Sequence, residues 1–177
     1  AGNYTFNTTA STTADITAKN LTVSGITANN KVYDGTTTAT LNTGSAALVG
    51  VASGDNVNLS TGSAAGTFAD NNVGTGKTVT VSGLSLSGPD KNNYTLTQPT
   101  TTADITARAL TVSATGVNKV YDSTTTATVT LSDNRVSGDV LATAYTTASF
   151  ATKTVGTGKT VSVSGITVTG ADAGNYT

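Results

Sequence analysis

Apolar and polar residues alternate along short stretches of this chain, which is the pattern of half-buried β-strands. Val79 and Val81 alternate with Thr and Ser, and Leu84 and Leu86 continue the alternation beyond Gly83. A glycine between two such halves predicts a bulge or a sharp bend in the strand. The same pattern returns later in the chain around Gly165, at Val161, Val163, Ile166 and Val168.

A decapeptide returns almost unchanged in the second half of the chain, which therefore contains a tandem repeat. It reads Lys-Val-Tyr-Asp-Gly-Thr-Thr-Thr-Ala-Thr from Lys31, and from Lys119 it differs only by Ser in place of Gly. Residues 1–24 likewise match 92–113, and residues 73–95 match 155–177. Because the second copy is shorter, we expect exposed loops where residues are missing from it. The expected loops are Gly25–Asn30, Asn42–Ser53 and Asn56–Gly66.

The repeated motifs contain a structural signature of Tyr and Asp residues. A tyrosine suits a half-buried position with its hydroxyl near water, and the aspartate after it can bond the backbone two residues on. We expect Tyr33 to pack in the core beside Val79 and Val81. Ser123 replaces Gly35 in the second copy, which indicates that this turn does not need a positive φ. The functional alternative for the Tyr-Asp pair is that it contacts a ligand. The signature residues are Tyr33, Asp34, Tyr94, Tyr121, Asp122 and Tyr176.

The repeats predict an all-β fold with two tandem β-sandwich units of Ig-like architecture, and β-grasp-like units are the alternative. Residues 1–14 are predicted to be the closing strand and linker of a preceding repeat. Residues 15–103 are the first repeat, and residues 104–177 are the second repeat without its closing strand. The stretch Leu96–Ile105 contains proline but no glycine, so we expect a stiff, extended connection. The only helix candidate is a single turn at Ala46–Val51.

The composition excludes several classes of function. The chain has 177 residues with no His and no Cys, so it cannot build a Ser-His-Asp triad, a Cys-His pair, a disulfide or a zinc site. We therefore predict that it is not an enzyme and has no catalytic residues. The net charge of −1 provides no basic surface for nucleic acid. The longest small-apolar run, Ala46–Ala52, is too short for membrane insertion.

Two kinds of motif could bind a ligand, namely a phosphate group in one case and a calcium ion in the other. The run from Gly74 to Thr78 resembles the end of a phosphate-binding loop, but Asn71 stands where the full pattern requires glycine, so a hairpin turn is favoured. We predict no cofactor. Calcium is the one ion left open, because Asp70–Asn72 and Asp90–Asn93 offer hard oxygen ligands. The second copy lacks most of these residues, and turn chemistry explains them equally well.

The motifs together support a resemblance to a known family. Lys-Val-Tyr-Asp-Gly-Thr-Thr, Val-Gly-Thr-Gly-Lys-Thr-Val, Gly-Asn-Tyr-Thr and Ala-Asp-Ile-Thr-Ala resemble the YDG repeats, and in part the related MBG repeats, of filamentous-haemagglutinin-like bacterial adhesins. The resemblance implies secreted or cell-surface stalk repeats that project a distal binding region, with neighbouring repeats of the same chain as partners. The alternative is a repeat that itself binds a surface glycan or a host protein. No catalytic residues are implied.

Overall fold

The computed structural model describes residues 2–177 except residues 4 and 6. Its regular elements are β-strands and two single turns of 3₁₀ helix, at Lys91–Asn93 and Ala173–Asn175. The prediction of an all-β chain with two similar units is confirmed. The strands of the first unit are β1 (Lys19–Ser24), β2 (Thr27–Ala28), β3 (Lys31–Val32), β4 (Thr38–Ala39), β5 (Leu41–Asn42), β6 (Ala47–Val49), β7 (Asn58–Ser60), β8 (Ala65–Phe68), β9 (Gly74–Ser82), β10 (Ser85–Ser87), β11 (Tyr94–Leu96) and β12 (Thr100–Thr106). Those of the second unit are β13 (Val112–Gly116), β14 (Val129–Asp133), β15 (Ala142–Ala144), β16 (Thr147–Phe150), β17 (Val161–Ser164) and β18 (Thr167–Thr169).

A five-stranded sheet in the order β3-β12-β9-β8-β4 forms the main layer of the first unit. The alternation predicted for β9 is confirmed, since Val79 and Val81 are buried while Thr78, Thr80 and Ser82 are exposed. One face of the sheet carries the core, which the β2–β5 pair helps to cover. The core cluster consists of Tyr33, Ala39, Phe68, Val79, Ala103 and Ile105.

The stretch predicted as a connection is largely a strand of this sheet. Strand β12 pairs parallel with β3 and antiparallel with β9, and Ile105 lies opposite both Lys31 and Gly74. The expected stiff linker at Leu96–Ile105 is therefore wrong, because alternate side chains of β12 enter the core. Strand β12 also crosses the predicted domain boundary between residues 103 and 104. The chain between the two units is the short segment 107–111.

Other short segments also differ from the sequence predictions. The helix candidate at Ala46–Val51 contains strand β6, in which Val49 lies opposite Thr22 of β1. Each of the three expected loops likewise contains strand residues. The sequence did not predict these strands, because most of them have only two or three residues, too few to show alternation. The predicted hairpin turn at residues 74–78 is instead the start of β9, and the turn lies just before it.

The bend predicted at Gly83 is confirmed. Its φ is +77°, and a Cβ atom at this position would lie 2.1 Å from the Ser63 carbonyl oxygen. Gly165 has a φ of +67° at the corresponding point of the second unit. Only glycine combines this backbone conformation with so close an approach. The bend turns β9 into β10, which pairs with β7 instead of extending the main sheet.

The second unit repeats most of these pairings. Strand β15 pairs with β18 and β16 pairs with β17, as β7 pairs with β10 and β8 with β9 in the first unit. Its core cluster is smaller and consists of Ala127, Val129 and Ala148. Among the described residues, β17 has a partner on one side only, whereas β9 lies between β8 and β12.

Candidate functional site: the joint between the two units

A compact turn after β3 positions Tyr33. The Lys31 ammonium lies 2.7 Å from Asp34 Oδ1, and the same carboxylate oxygen accepts the Thr36 amide at 2.9 Å. This second bond is the Asx-turn that the sequence predicts. Lys31 also lies 5.6 Å above the ring of Phe68. Burial alone would raise the pKa of Asp34, but the bonds from Lys31 and Thr36 outweigh it and hold that pKa below its usual value.

The second copy builds the same turn with a different residue at its tip. Lys119 donates to Asp122 at 2.8 Å, and these contacts lower the Asp122 pKa to about 2, mainly through the Lys119 bond. Ser123 has a φ of +68°, close to the +77° of Gly35. The expectation that this turn needs no positive φ is therefore wrong. The serine adopts the left-handed region despite its Cβ atom, which costs free energy.

The hydroxyl of Tyr33 joins the first unit to the second. Tyr33 packs in the core with Val79, as predicted, and at 2% exposure it is more deeply buried than a half-buried position with its hydroxyl near water. Its hydroxyl donates to both carboxylate oxygens of Asp139, at 3.1 and 3.0 Å. The hydroxyl of Tyr176 donates to the same carboxylate and accepts the amide of Val136 at 2.8 Å. One carboxylate of the second unit therefore receives a phenol from each unit.

Packing and amide contacts extend this joint. The rings of Tyr33 and Tyr176 meet edge to face, with centroids 5.6 Å apart at an angle of 75°. The buried Asn175 accepts the amide of Val73 at 2.9 Å through its side-chain oxygen. Val136 and Tyr176 also pack against the core of the first unit. The two units therefore share one contact made of buried rings and directional hydrogen bonds.

The joint perturbs the acidity of its phenols. Burial, with the bond to the Asp139 carboxylate as a second cause, raises the pKa of Tyr33 to about 12. The same two causes raise the pKa of Tyr176. An ionised phenol would lose its donor proton and face the negative carboxylate, so the joint requires both tyrosines in their neutral form.

The first unit contains a tyrosine–aspartate pair of the same kind, to which no other unit contributes among the described residues. Tyr94 donates to Asp55 at 2.6 Å and accepts the amide of Ala52 at 3.0 Å. The bond to Asp55 is the main cause that raises the pKa of Tyr94. Asp55 and Asp139 occupy equivalent positions in the two copies, as do Tyr94 and Tyr176.

The structure thus brings only part of the predicted signature together. Tyr33 and Tyr176 meet at the joint, whereas Tyr94 bonds Asp55 within the first unit and Tyr121 is 56% exposed. Asp34 and Asp122 act in their own turns. Asp139 was not among the predicted signature residues. The sequence signal for Asp139 was that the first copy has an aspartate, Asp55, at the equivalent position. In both copies a recurring tyrosine, Tyr94 or Tyr176, follows a few tens of residues later.

The carboxylates considered for calcium have protein partners. Asp70 lies 2.6 Å from the Lys77 ammonium and accepts the Asn72 amide at 2.8 Å. Asp90 accepts the amide of Asn56 at 2.8 Å. Within residues 2–177 as described, acidic side chains form no cluster of three or more that could hold a metal. In the same part of the chain, helices long and apolar enough to cross a membrane are absent.

The fold and the joint define a class of protein, namely an all-β tandem repeat whose units contact each other directly. Comparison with protein families matches the YDG domain to residues 17–103 and 106–177. The chain therefore belongs to the YDG domain family. Curated proteins and solved structures give no match to it.

Proposed function

We propose that the two units are structural spacer repeats of a large, secreted or surface-exposed bacterial adhesin, where they hold a distal binding region away from the cell. The observation that carries this proposal is the joint of Tyr33, Asp139 and Tyr176. A spacer must transmit its length without bending freely, and directional bonds to a shared carboxylate resist rotation of one unit against the next. The adhesin context is supported by the motif resemblance described above.

The solvent-accessible surface area of the chain supports an elongated shape, which a spacer requires. The chain exposes 11412 Å², whereas a compact monomer of 17.5 kDa exposes about 7,900 Å². Part of the excess belongs to the exposed residues 7–18. The second unit, whose strand β17 has a partner on one side only among the described residues, contributes to the rest.

Small-angle scattering at low concentration tests the spacer role. A compact chain of this length would have a radius of gyration of about 16 Å. We expect a clearly larger radius and a long tail in the pair-distance distribution. Asp139→Ala should broaden that distribution because it removes the acceptor of both phenols, and the equivalent change Asp55→Ala should leave it unchanged. A wild-type radius near 16 Å would contradict the spacer role.

A further inference from the structure

The joint contains a steric contact between a turn and a loop in addition to its hydrogen bonds. Gly35 forms the tip of the turn after β3, and Val136 lies in the loop between β14 and β15. A Cβ atom added at Gly35 would lie 2.8 Å from Val136 Cγ1. Carbon atoms pack best at about 3.5–4.0 Å. A side chain at this tip would therefore push the valine, and the loop that carries it, away from the first unit.

The loop holds Val136 firmly, so the valine does not yield to such a side chain. The Arg135 guanidinium donates to both carboxylate oxygens of Asp133, whose side chain is only 2% exposed. The same guanidinium donates to the Leu141 carbonyl at 2.6 Å, which ties the start of the loop to its end. The amide of Val136 itself donates to the Tyr176 hydroxyl at 2.8 Å. Because valine is branched at Cβ, its side chain has little freedom to rotate away.

The tip of the turn is also fixed. The side chain of Asn71 donates to the Gly35 carbonyl at 2.9 Å. On the other side of the tip, the Asp34 carboxylate accepts the amide of Thr36 at 2.9 Å. With both partners held, the close approach of tip and loop depends on the absence of a side chain at Gly35.

The two copies carry opposite combinations of residue size at these positions. The tip of the second copy is Ser123, which has a Cβ atom and a φ of +68°. In the first copy Ala52 stands where the second copy has Val136, and its amide donates to the Tyr94 hydroxyl at 3.0 Å in the same way. The larger tip therefore occurs in the copy with the larger loop residue, and the bare tip in the copy with the smaller one. Within the joint, the bare tip of one unit meets the larger loop residue of the other.

We propose that Gly35 and Val136 determine which repeats fit together at a joint. A glycine tip accepts a loop with valine, whereas a serine tip requires a smaller loop residue, such as the alanine of the first unit. This inference rests on the proposed function, because it names the kind of neighbouring repeat that the joint accepts. The tyrosine–aspartate pair is present in both copies and does not distinguish them. The steric pair differs between the copies, and a clash with the wrong partner is an effective source of specificity.

A double-mutant cycle of Gly35→Ser and Val136→Ala, measured by urea unfolding, tests the pair. Gly35→Ser alone should lower the equilibrium constant for folding more than about tenfold, through overpacking and backbone strain. In the Val136→Ala chain the same substitution should have an effect at least about fivefold smaller, because only the backbone strain remains.

Gly76→Ser is the matched control for backbone strain. Gly76 also belongs to the first unit and has a φ of +58°, but an added Cβ atom there would meet nothing within 4 Å. Its effect should be the same with valine or with alanine at position 136. A control effect that also shrinks in the Val136→Ala chain would overturn the proposal, since it would show a general change in stability.

The distance between the units gives a readout that strain within one unit does not move. Spin labels are placed at Ser85→Cys and Thr167→Cys, which are exposed and belong to different units. Gly35→Ser should broaden or shift the distance distribution, and the additional change Val136→Ala should restore it. Additive effects in the cycle, or a Gly35→Ser distribution identical to that of the wild type, would overturn the proposal. The scattering radius of the wild-type chain tests the spacer role separately, so failure of either claim is recognised without the other.

Discussion

Tyr33 and Asp139 are separated by 106 positions in the chain, yet the hydroxyl of one donates to both carboxylate oxygens of the other. The tyrosine ring belongs to the core of the first unit, while the carboxylate belongs to the second. A rotation of the units against each other would therefore break a buried, charge-assisted hydrogen bond. Such bonds contribute more to stability than bonds between neutral groups.

Tyr33→Phe should separate the hydrogen bond from the packing of the ring. The phenylalanine keeps the ring in the core but removes the donor to Asp139, so we expect a loss of about 1.5–3 kcal/mol in the free energy of unfolding. Urea unfolding measures this loss. The matched control Tyr121→Phe should cost less than about 0.5 kcal/mol, since its side chain is exposed. Equal effects of the two substitutions would show that the joint adds no stability.

Alkaline pH should weaken the joint. The pKa of Tyr33 is raised from its ordinary value of 10.0 to about 12. A phenol that is harder to ionise in the folded chain contributes its full stability below pH 10, and this contribution is lost as the pH rises towards 12. The loss should be about 2–3 kcal/mol.

A pH series of urea unfolding measures this loss, and the Tyr33→Phe chain is the control. That chain should lose less stability between pH 10 and 12, although Tyr176 still contributes in the same direction. Parallel curves for the two chains would contradict the role assigned to the Tyr33 hydroxyl.

The equivalent phenylalanines should differ in the cost of their removal. Phe68 is buried in the core beside Val79, whereas Phe150 is half-buried against the smaller core of the second unit. We expect Phe68→Ala to cost about 3–5 kcal/mol and Phe150→Ala about half as much, because a half-buried ring leaves less apolar surface to lose. Thermal unfolding of the two variants at low concentration gives the comparison. A larger loss for Phe150→Ala would indicate that the second unit has a closed core.

The turn tips provide a reciprocal pair of substitutions. Gly35→Ser should destabilise the first unit by about 1–3 kcal/mol, since its φ is positive and an added Cβ atom would lie 2.8 Å from Val136 Cγ1. Ser123→Gly should cost nothing or stabilise slightly, because relief of strain offsets the greater freedom of the unfolded chain. Calorimetric melting of both variants measures the difference. A stabilising Gly35→Ser would contradict the strain argument.

The sequence was sufficient for the features that depend on local pattern. The alternation around Val79, the bend at Gly83 and the Asx-turn at Asp34 each follow from a few neighbouring residues, and the structure contains all three. The duplicated decapeptide was likewise sufficient for the two-unit organisation. These features need no knowledge of which segments meet in space.

The joint and strand β12 required tertiary information. Thr-rich residues 100–106 look like a polar connection until their alternate side chains, Ala103 and Ile105, are placed in the core. The partner of Tyr33 is an aspartate in the other copy, and no local motif links the two. The substitution of serine for Gly35 was misleading, because the turn imposes its backbone conformation on whichever residue stands there.

We infer that the joint holds the two units in one orientation. The chain contains no cysteine, so spin labels can be attached at Ser85→Cys and Thr167→Cys, which are exposed and occupy equivalent positions in the two units. Pulsed electron–electron double resonance on the doubly labelled chain, at low concentration, measures the distribution of distances between the labels. We expect a single narrow distribution that Asp139→Ala broadens and Asp55→Ala does not. A broad distribution in the chain with an intact joint would contradict it.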